Sequence, residues 1–257
     1  MLEDRLVLIT GATAGIGEAC ARRFAAEGAN LILWARRLDR LDALADRIEA
    51  DHGTHVHVAR VDVRDRETVD LAARAVLETG DVPDILLNNA GLARGMSKIW
   101  EGDPEAWDEM IDTNVKGLLN VTRAFLPAMV ERNRGHVINI GSTAGHTTYP
   151  NGNVYAATKF AVHALTQGTS LDLAGTAIRV TAIDPGFVET EFSYVRFSGD
   201  TEKAKKTYDG FTPLSGDDVA EAVVWAASRP AHVNIADMIL MPTAQRNIYI
   251  VDRSGKN

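Results

Sequence analysis

Short apolar runs alternate along the chain with stretches whose apolar positions recur every three or four residues. "RLVLIT" (5–10) is followed by the helical pattern "GEACARRFAAEG", which stops at Gly28. "NLILWA" (30–35) leads into "RLDRLDALADRIEADHG", where Leu38, Leu41, Leu44, Ala45 and Ile48 share one helix face before Gly53. "HVHVARVDV" (55–63) precedes a third helical stretch, "DRETVDLAARAVLE". Four more apolar runs follow: "DILLNN" (84–89), "HVINIG" (136–141), "IRVTAIDPG" (178–186) and "DMILMP" (237–242). Most of these runs are apolar throughout rather than on alternate positions, as in strands covered on both faces. Strand–helix alternation with short connections predicts right-handed crossovers. The fold expected is α/β: a Rossmann-type, doubly wound, seven-stranded parallel sheet with helices on both faces.

No repeat, low-complexity linker or composition break divides the sequence, so residues 1–257 read as one domain. Residues 187–213 are long, polar and weakly patterned, the character of a substrate lid. Residues 243–257 form a tail in which the apolar side chains between Ile248 and Val251 predict packing on the core or on a neighbour. A formal charge of −8 without a long basic run argues against nucleic acid and anionic membranes as partners. No uncharged run is long enough to cross a bilayer and no secretion signal is read, so a cytoplasmic location is expected. The single cysteine, Cys20, excludes an internal disulfide and falls in an apolar helical pattern as a core residue. The seven histidines show no metal-ligand spacing, and no metal is expected.

Ligands of such folds bind outside the carboxyl ends of the strands, which directs attention to the residues just after each one. "TGATAGIG" (10–17) follows the first strand. Gly11, Gly15 and Gly17 permit a tight turn and close backbone approach, and Thr13, Ala14 and Ile16 complete a cradle opening onto a helix N-terminus suited to a pyrophosphate. After the second strand, an acidic residue would bind the ribose 2′-hydroxyl of NAD. The chain instead has Arg36 and Arg37, whose charge and forked donors suit the 2′-phosphate of NADP(H). In "VYAATK" (154–159), Tyr155 and Lys159 are one helical turn apart, which sets an ammonium beside a phenol and predicts a lowered phenol pKa.

Taken together, these segments resemble the short-chain dehydrogenase/reductase family over nearly the whole chain. The resemblance implies that Asp62 and Val63 in "VDV" contact adenine, and that Asn89, Ala90 and Gly91 in "NNAG" line the cofactor while Asn88 supports the sheet. Asn114 in "DTNVKG", Ser142 in "NIGSTAG", Tyr155 and Lys159 match the family's catalytic tetrad. "DPGFVET" is similar to the segment that holds the nicotinamide amide, implying contacts from Pro185, Gly186, Val188 and Thr190. Tyr155 would exchange the substrate proton, Ser142 would bond the substrate oxygen, Lys159 would hold the nicotinamide ribose, and Asn114 would support a water on a proton path.

"GLARGM", the run from "MIDTNVKG" to "GSTAG", "FSYVRFSGD" and "PAHVNI" resemble the NADP-dependent 3-hydroxy acid, or serine 3-dehydrogenase-like, subgroup, with sulfoacetaldehyde reductases nearby. An acid substrate needs a cation, and Arg94, Arg196 and Arg246, with Tyr149 flanking, are the candidates. The family implies a homotetramer. The competing readings are a reductase of another carbonyl, including sulfoacetaldehyde or a ketoacyl carrier, and a silent dinucleotide sensor. The intact Asn-Ser-Tyr-Lys set argues against the sensor, which needs no acid.

Overall fold

In the computed structural model, which describes residues 2–255, seven parallel strands form one sheet in the order β3-β2-β1-β4-β5-β6-β7. They are β1 (Leu6–Thr10), β2 (Asn30–Ala35), β3 (Val56–Arg60), β4 (Ile85–Asn88), β5 (Gly135–Ile140), β6 (Ile178–Pro185) and β7 (Asp237–Leu240). Alternate residues of one strand serve opposite faces. Val7 and Ile9 of β1 join a core with Phe24, Leu41, Ile48 and Val223, while Leu8 joins another with Trp34, Phe125 and Met129.

The first face is covered by α1 (Gly15–Ala26), α2 (Leu38–His52) and α9 (Gly216–Ala227). The other carries α3 (Arg66–Glu78) and α5 (Leu118–Glu131), which follows α4 (Pro104–Ile111). A wider π-helical turn, Asp112–Gly117, joins α4 to α5. The long helix α6 (Asn153–Asp172) fills the β5–β6 crossover. Cys20 is fully buried in the first core, as expected, and burial raises its thiol pKa.

β3 stops at Arg60, short of the expected residue 63. Asp62 then takes the Arg64 backbone N–H, and Asp65 caps α3 by accepting from Glu67 and Thr68. Asp62 and Val63 therefore stand in the turn after the strand. β7 ends at Leu240, two residues early, and is an exposed edge. The 187–213 segment is more structured than its polarity suggests. It holds α7 (Glu191–Arg196) and α8 (Thr201–Lys206), capped by the side chains of Thr190 and Asp200. Six residues are too few for a 3.6-residue period to register. Among the described residues, no helix is long and apolar enough to cross a membrane.

Candidate active site

The strand order reverses between β1 and β4, and there a cavity of ≈ 720 Å³ opens past the carboxyl ends of the strands. The first turn builds its floor. Gly11 has φ +67°, and a Cβ there would stand 2.9 Å from the Ala90 Cα. Gly15, at φ +56°, also uses a conformation that L side chains rarely adopt. Helix α1 begins after Ala14, which offers no side-chain cap, so its first N–H groups remain available at the positive end of the helix. Gly11, Thr13, Ala14, Gly15 and Ile16 line the cavity, and Gly17 does not. A Cβ at Gly17 would collide with the Asn89 amide and the Gly11 carbonyl, so this glycine lets α1 pack tightly behind the turn.

Arg36 and Arg37 line one end of the cavity with Asp62 and Val63. Arg37 is held in place: Nε and Nη2 donate to Thr13 Oγ1 at 3.3 and 3.1 Å, and Nη1 donates to Glu191 Oε2 at 3.0 Å. Arg36 is freer, with 54% of its side chain exposed and its nearest carboxylate, Glu109, 4.0 Å away. The uncapped helix start, the cramped glycines and the two guanidinium groups fit a dinucleotide carrying a ribose 2′-phosphate. The turn would supply N–H donors for the pyrophosphate, and the arginines would supply charge for the third phosphate.

Asn89, Ala90 and Gly91 form the wall after β4. The Asn89 amide donates to the Thr10 carbonyl at 2.9 Å, tying this wall to the glycine turn. Asn88 points into the sheet instead, donating to Thr122 Oγ1 and Asn139 Oδ1 at 3.0 and 2.9 Å. Pro185, Gly186, Val188 and Thr190 line the cavity opposite.

The catalytic candidates converge at the other end. Ser142 and Tyr155 are 9% exposed and Lys159 is 6% exposed, and all three face the cavity. Asn114 is 2% exposed and lies behind the wall. Its Oδ1 accepts from Leu92 N, while Nδ2 donates to Leu92 O and Thr158 Oγ1, at 2.8, 2.8 and 3.0 Å. It holds the β4 loop against α6.

The phenol differs from expectation. Burial, with Tyr149 next, pushes the Tyr155 pKa up, against lowering by the Ser142 hydrogen bond and the Arg196 charge. Lys159 Nζ is 5.9 Å from the ring centroid and donates to the Ile140 carbonyl at 2.9 Å. Burial lowers its own pKa to about 8. One helical turn of spacing places the ammonium nearby, but desolvation of the phenol sets the direction of the shift. The nearer cation is Arg196, 5.3 Å from the Tyr155 ring and hydrogen-bonded to the Tyr149 hydroxyl.

Of the three arginines considered for an acid substrate, only Arg196 lines this cavity. Arg94 is committed to Glu109, with Nε 2.6 Å from Oε2, and to the Val195 carbonyl at 2.8 Å. The exposed Arg246 lies outside the lining, whereas its neighbour Gln245 is inside and accepts from Phe187 N at 3.0 Å. Sequence reasoning missed Gln245 and also Phe192, whose ring meets Tyr155 edge-on with centroids 5.6 Å apart. It missed Asp184 too, whose Oδ1 accepts from Ser142 N at 2.9 Å. Burial is the main cause that raises this carboxyl to about 6. Only the position of Asp184 at a strand end gave a signal.

Residues 5–200 match the family described as short chain dehydrogenase. The NADP-dependent 3-hydroxy acid dehydrogenase YdfG of Salmonella typhimurium is 52% identical over 242 residues, covering 93% of this chain and 96% of that protein. Sulfoacetaldehyde reductase 2 of Chromohalobacter salexigens is 44% identical over 250 residues, covering 96% and 98%. A structure of the closed form of serine dehydrogenase complexed with NADP+ superposes with a TM-score of 0.90 at 49% identity, covering 93% of this chain and 96% of that one. The cavity at the strand-order reversal and its Ser-Tyr-Lys wall thus lie in a chain that belongs to the short-chain dehydrogenase family.

Proposed function

We propose that this enzyme transfers a hydride between NADP(H) and a small 3-hydroxy acid or the corresponding aldehyde or keto acid. The observation that carries the reading is the pairing of Arg196 and Tyr155 in one wall, a fixed cation beside a proton donor. The curated relatives and the NADP+-bound serine dehydrogenase support the same chemistry.

NADPH, when bound, supplies the hydride. The chain's residues do the rest. Arg196 meets the substrate's acid group, and Ser142 donates a hydrogen bond to the carbonyl oxygen. The raised pKa keeps Tyr155 protonated at neutral pH. As the carbon gains hydride, that oxygen takes the phenol proton. The alcohol's new C–H and O–H bonds then account for both transfers, and Arg196 and Lys159 favour the phenolate left behind. Asn114 acts by fixing the loop over α6. In the reverse direction, the phenolate takes the alcohol proton.

A sulfonated aldehyde is the second reading, because Arg196 accommodates a sulfonate as well as a carboxylate and a 44% identical relative is a sulfoacetaldehyde reductase. Residues 187–213 serve as the lid, α7 carrying Arg196 over the site. The 243–257 tail braces that lid through Gln245 and adds Ile248 and Tyr249 to the wall. The proposed assembly is a homotetramer in the cytoplasm. Exposed Phe160, Leu171, Trp225 and Ile239 supply apolar contact surface, and the lone buried Cys20 suits a reducing compartment.

The test is a substrate screen with NADPH or NADP+ across 3-hydroxy acids, neutral aldehydes and sulfonated aldehydes. The proposal expects the highest kcat/KM on 3-hydroxy acids and their carbonyl forms. Preference for neutral carbonyls would overturn it, and preference for sulfonates would select the second reading.

A further inference from the structure

Behind the wall that carries Ser142, four ligand-bearing side chains from separate parts of the fold converge. His146 follows the turn after β5, His163 stands on α6, Asp184 lies near the end of β6, and Asp237 begins β7. One ring nitrogen or carboxylate oxygen from each lies within 4.8 Å of the other three. His146 Nε2 is 2.6 Å from Asp184 Oδ2 and 3.8 Å from Asp237 Oδ2. His163 Nδ1 is 3.8 and 3.9 Å from the same two oxygens. We propose that these four side chains bind one divalent transition-metal cation of the zinc class, at a structural site.

Geometry and chemistry both favour such an ion. Zinc bonds nitrogen and oxygen at about 2.0–2.2 Å, so tetrahedral ligand atoms sit roughly 3.3–3.6 Å apart. Three of the four cross-distances need to close by only a few tenths of an ångström. The His146–Asp184 pair opens as the cation replaces the proton between them. Two neutral imidazoles and two carboxylates balance a divalent charge, and the imidazoles select against magnesium and calcium, which take oxygen ligands.

An independent sign is His163 Nδ1, a buried nitrogen without a hydrogen-bond partner that faces the two carboxylates. The other ring nitrogen, Nε2, lies 2.9 Å from the Gln167 amide nitrogen. Turning that amide by about 180° exchanges its nitrogen for its oxygen, which would accept Nε2–H and leave Nδ1 as the lone pair a metal needs. Asp184 is likewise oriented from behind, because Ser142 N occupies its Oδ1 and leaves Oδ2 toward the cluster. Its side chain is 2% exposed, whereas those of His146, His163 and Asp237 are 25%, 23% and 34% exposed, which gives solvent ions a route in. All four tetrahedral positions are filled by protein, so the ion has no open position for substrate. Its effect is to clasp β6, β7, α6 and the Ser142 turn together.

The test uses the full-length, untagged protein freed of metal with EDTA and titrated with ZnCl₂ in a calorimeter. Wild type is expected to bind one Zn²⁺ per chain. Tm should rise by about 5–10 °C when zinc is a hundredfold above its Kd, and MgCl₂ at the same concentration should leave it unchanged. Co²⁺ should give the intense visible bands of a tetrahedral site. His163→Ala and Asp237→Asn each remove one ligand and should weaken Zn²⁺ binding by about 100-fold or more and abolish those bands, since even outer-shell losses cost 10–100-fold. Asp237→Asn is nearly isosteric on an exposed edge strand, so its folding is secure. Absence of one-equivalent binding at tens of micromolar zinc, or both variants binding as wild type does, would overturn the proposal.

Discussion

Removing Arg36 and removing Arg37 should damage cofactor binding in different ways, although the two are adjacent. Arg36 makes only a 4.0 Å contact with Glu109 and is half exposed, so the free protein loses little without it. Its contribution begins when a 2′-phosphate arrives. A hydrogen bond to a charged group contributes about 1.5–3 kcal/mol, and an exposed guanidinium belongs at the lower end. Arg36→Ala should therefore weaken NADPH about tenfold and leave NADH nearly unchanged. Arg37 grips Thr13 through two nitrogens and thereby shapes the turn used by both cofactors. Arg37→Ala should weaken NADPH by tenfold or more and NADH by a few-fold. The assay is a fluorescence titration of each reduced cofactor against wild type and both variants. Equal affinity of wild type for NADPH and NADH, or an equal loss of both in Arg36→Ala, would refute the assignment of these arginines.

Tyr155→Phe keeps the ring and removes the proton, so turnover should fall by roughly 10² or more with NADPH affinity retained; near-normal turnover in stopped-flow assays would reject Tyr155 as the acid. Arg196→Gln should raise KM for acid substrates about 10- to 100-fold, the equivalent of 1.5–3 kcal/mol, while a neutral aldehyde is spared; equal changes on both would make Arg196 a lid-packing residue. Removing residues 243–257 withdraws Gln245 from Phe187 and should raise KM for both substrate classes, so a loss confined to acids would restore Arg246 as the acid-binding cation. Burial holds the His136 pKa down at about 3, so between about pH 6.5 and 3 the unfolded chain takes a proton that the folded chain refuses, and stability falls as pH falls. Urea unfolding should show about 2 kcal/mol more loss from pH 7.5 to pH 5 in wild type than in His136→Gln, and parallel losses would contradict it.

The strands were legible because burial on both faces leaves nearly continuous apolar runs, as in "NLILWA". The glycine turn and the Arg36–Arg37 pair were legible because their chemistry is local: a turn, a helix start and a strand end within one crossover. What escaped the sequence depends on which groups meet across it. Arg94 and Arg196 looked alike as charges near the expected lid, yet Glu109 claims one and the other faces the phenol. The two short helices of the 187–213 segment are fixed by the caps at Thr190 and Asp200 rather than by any apolar period. The four side chains of the His-Asp cluster lie on separate elements, so no spacing rule applies to them. The direction of the Tyr155 shift failed for another reason: helical spacing reports proximity, and burial of the phenol depends on the cluster it joins, against which Phe192, Tyr149 and Val195 pack.

That shift bears on the direction of the chemistry. A phenol whose pKa is raised holds its proton throughout the neutral range and is ready to donate it, which suits reduction of a carbonyl. Oxidation requires the phenolate, and the nearby cations, Arg196 and Lys159, must then support it. Lys159 gives up part of its charge near pH 8 because it is buried, which leaves Arg196 as the more persistent of the two. Arg196 is also the cation proposed for the substrate's acid group. A carboxylate that pairs with it neutralises charge that would otherwise lower the Tyr155 pKa. Binding of an acid substrate and retention of the phenol proton therefore reinforce each other in reduction and oppose each other in oxidation. The same arginine ties α7 to Tyr149, so under the proposed lid role occupancy of the acid site, closure of α7 and protonation of Tyr155 are expected to change together.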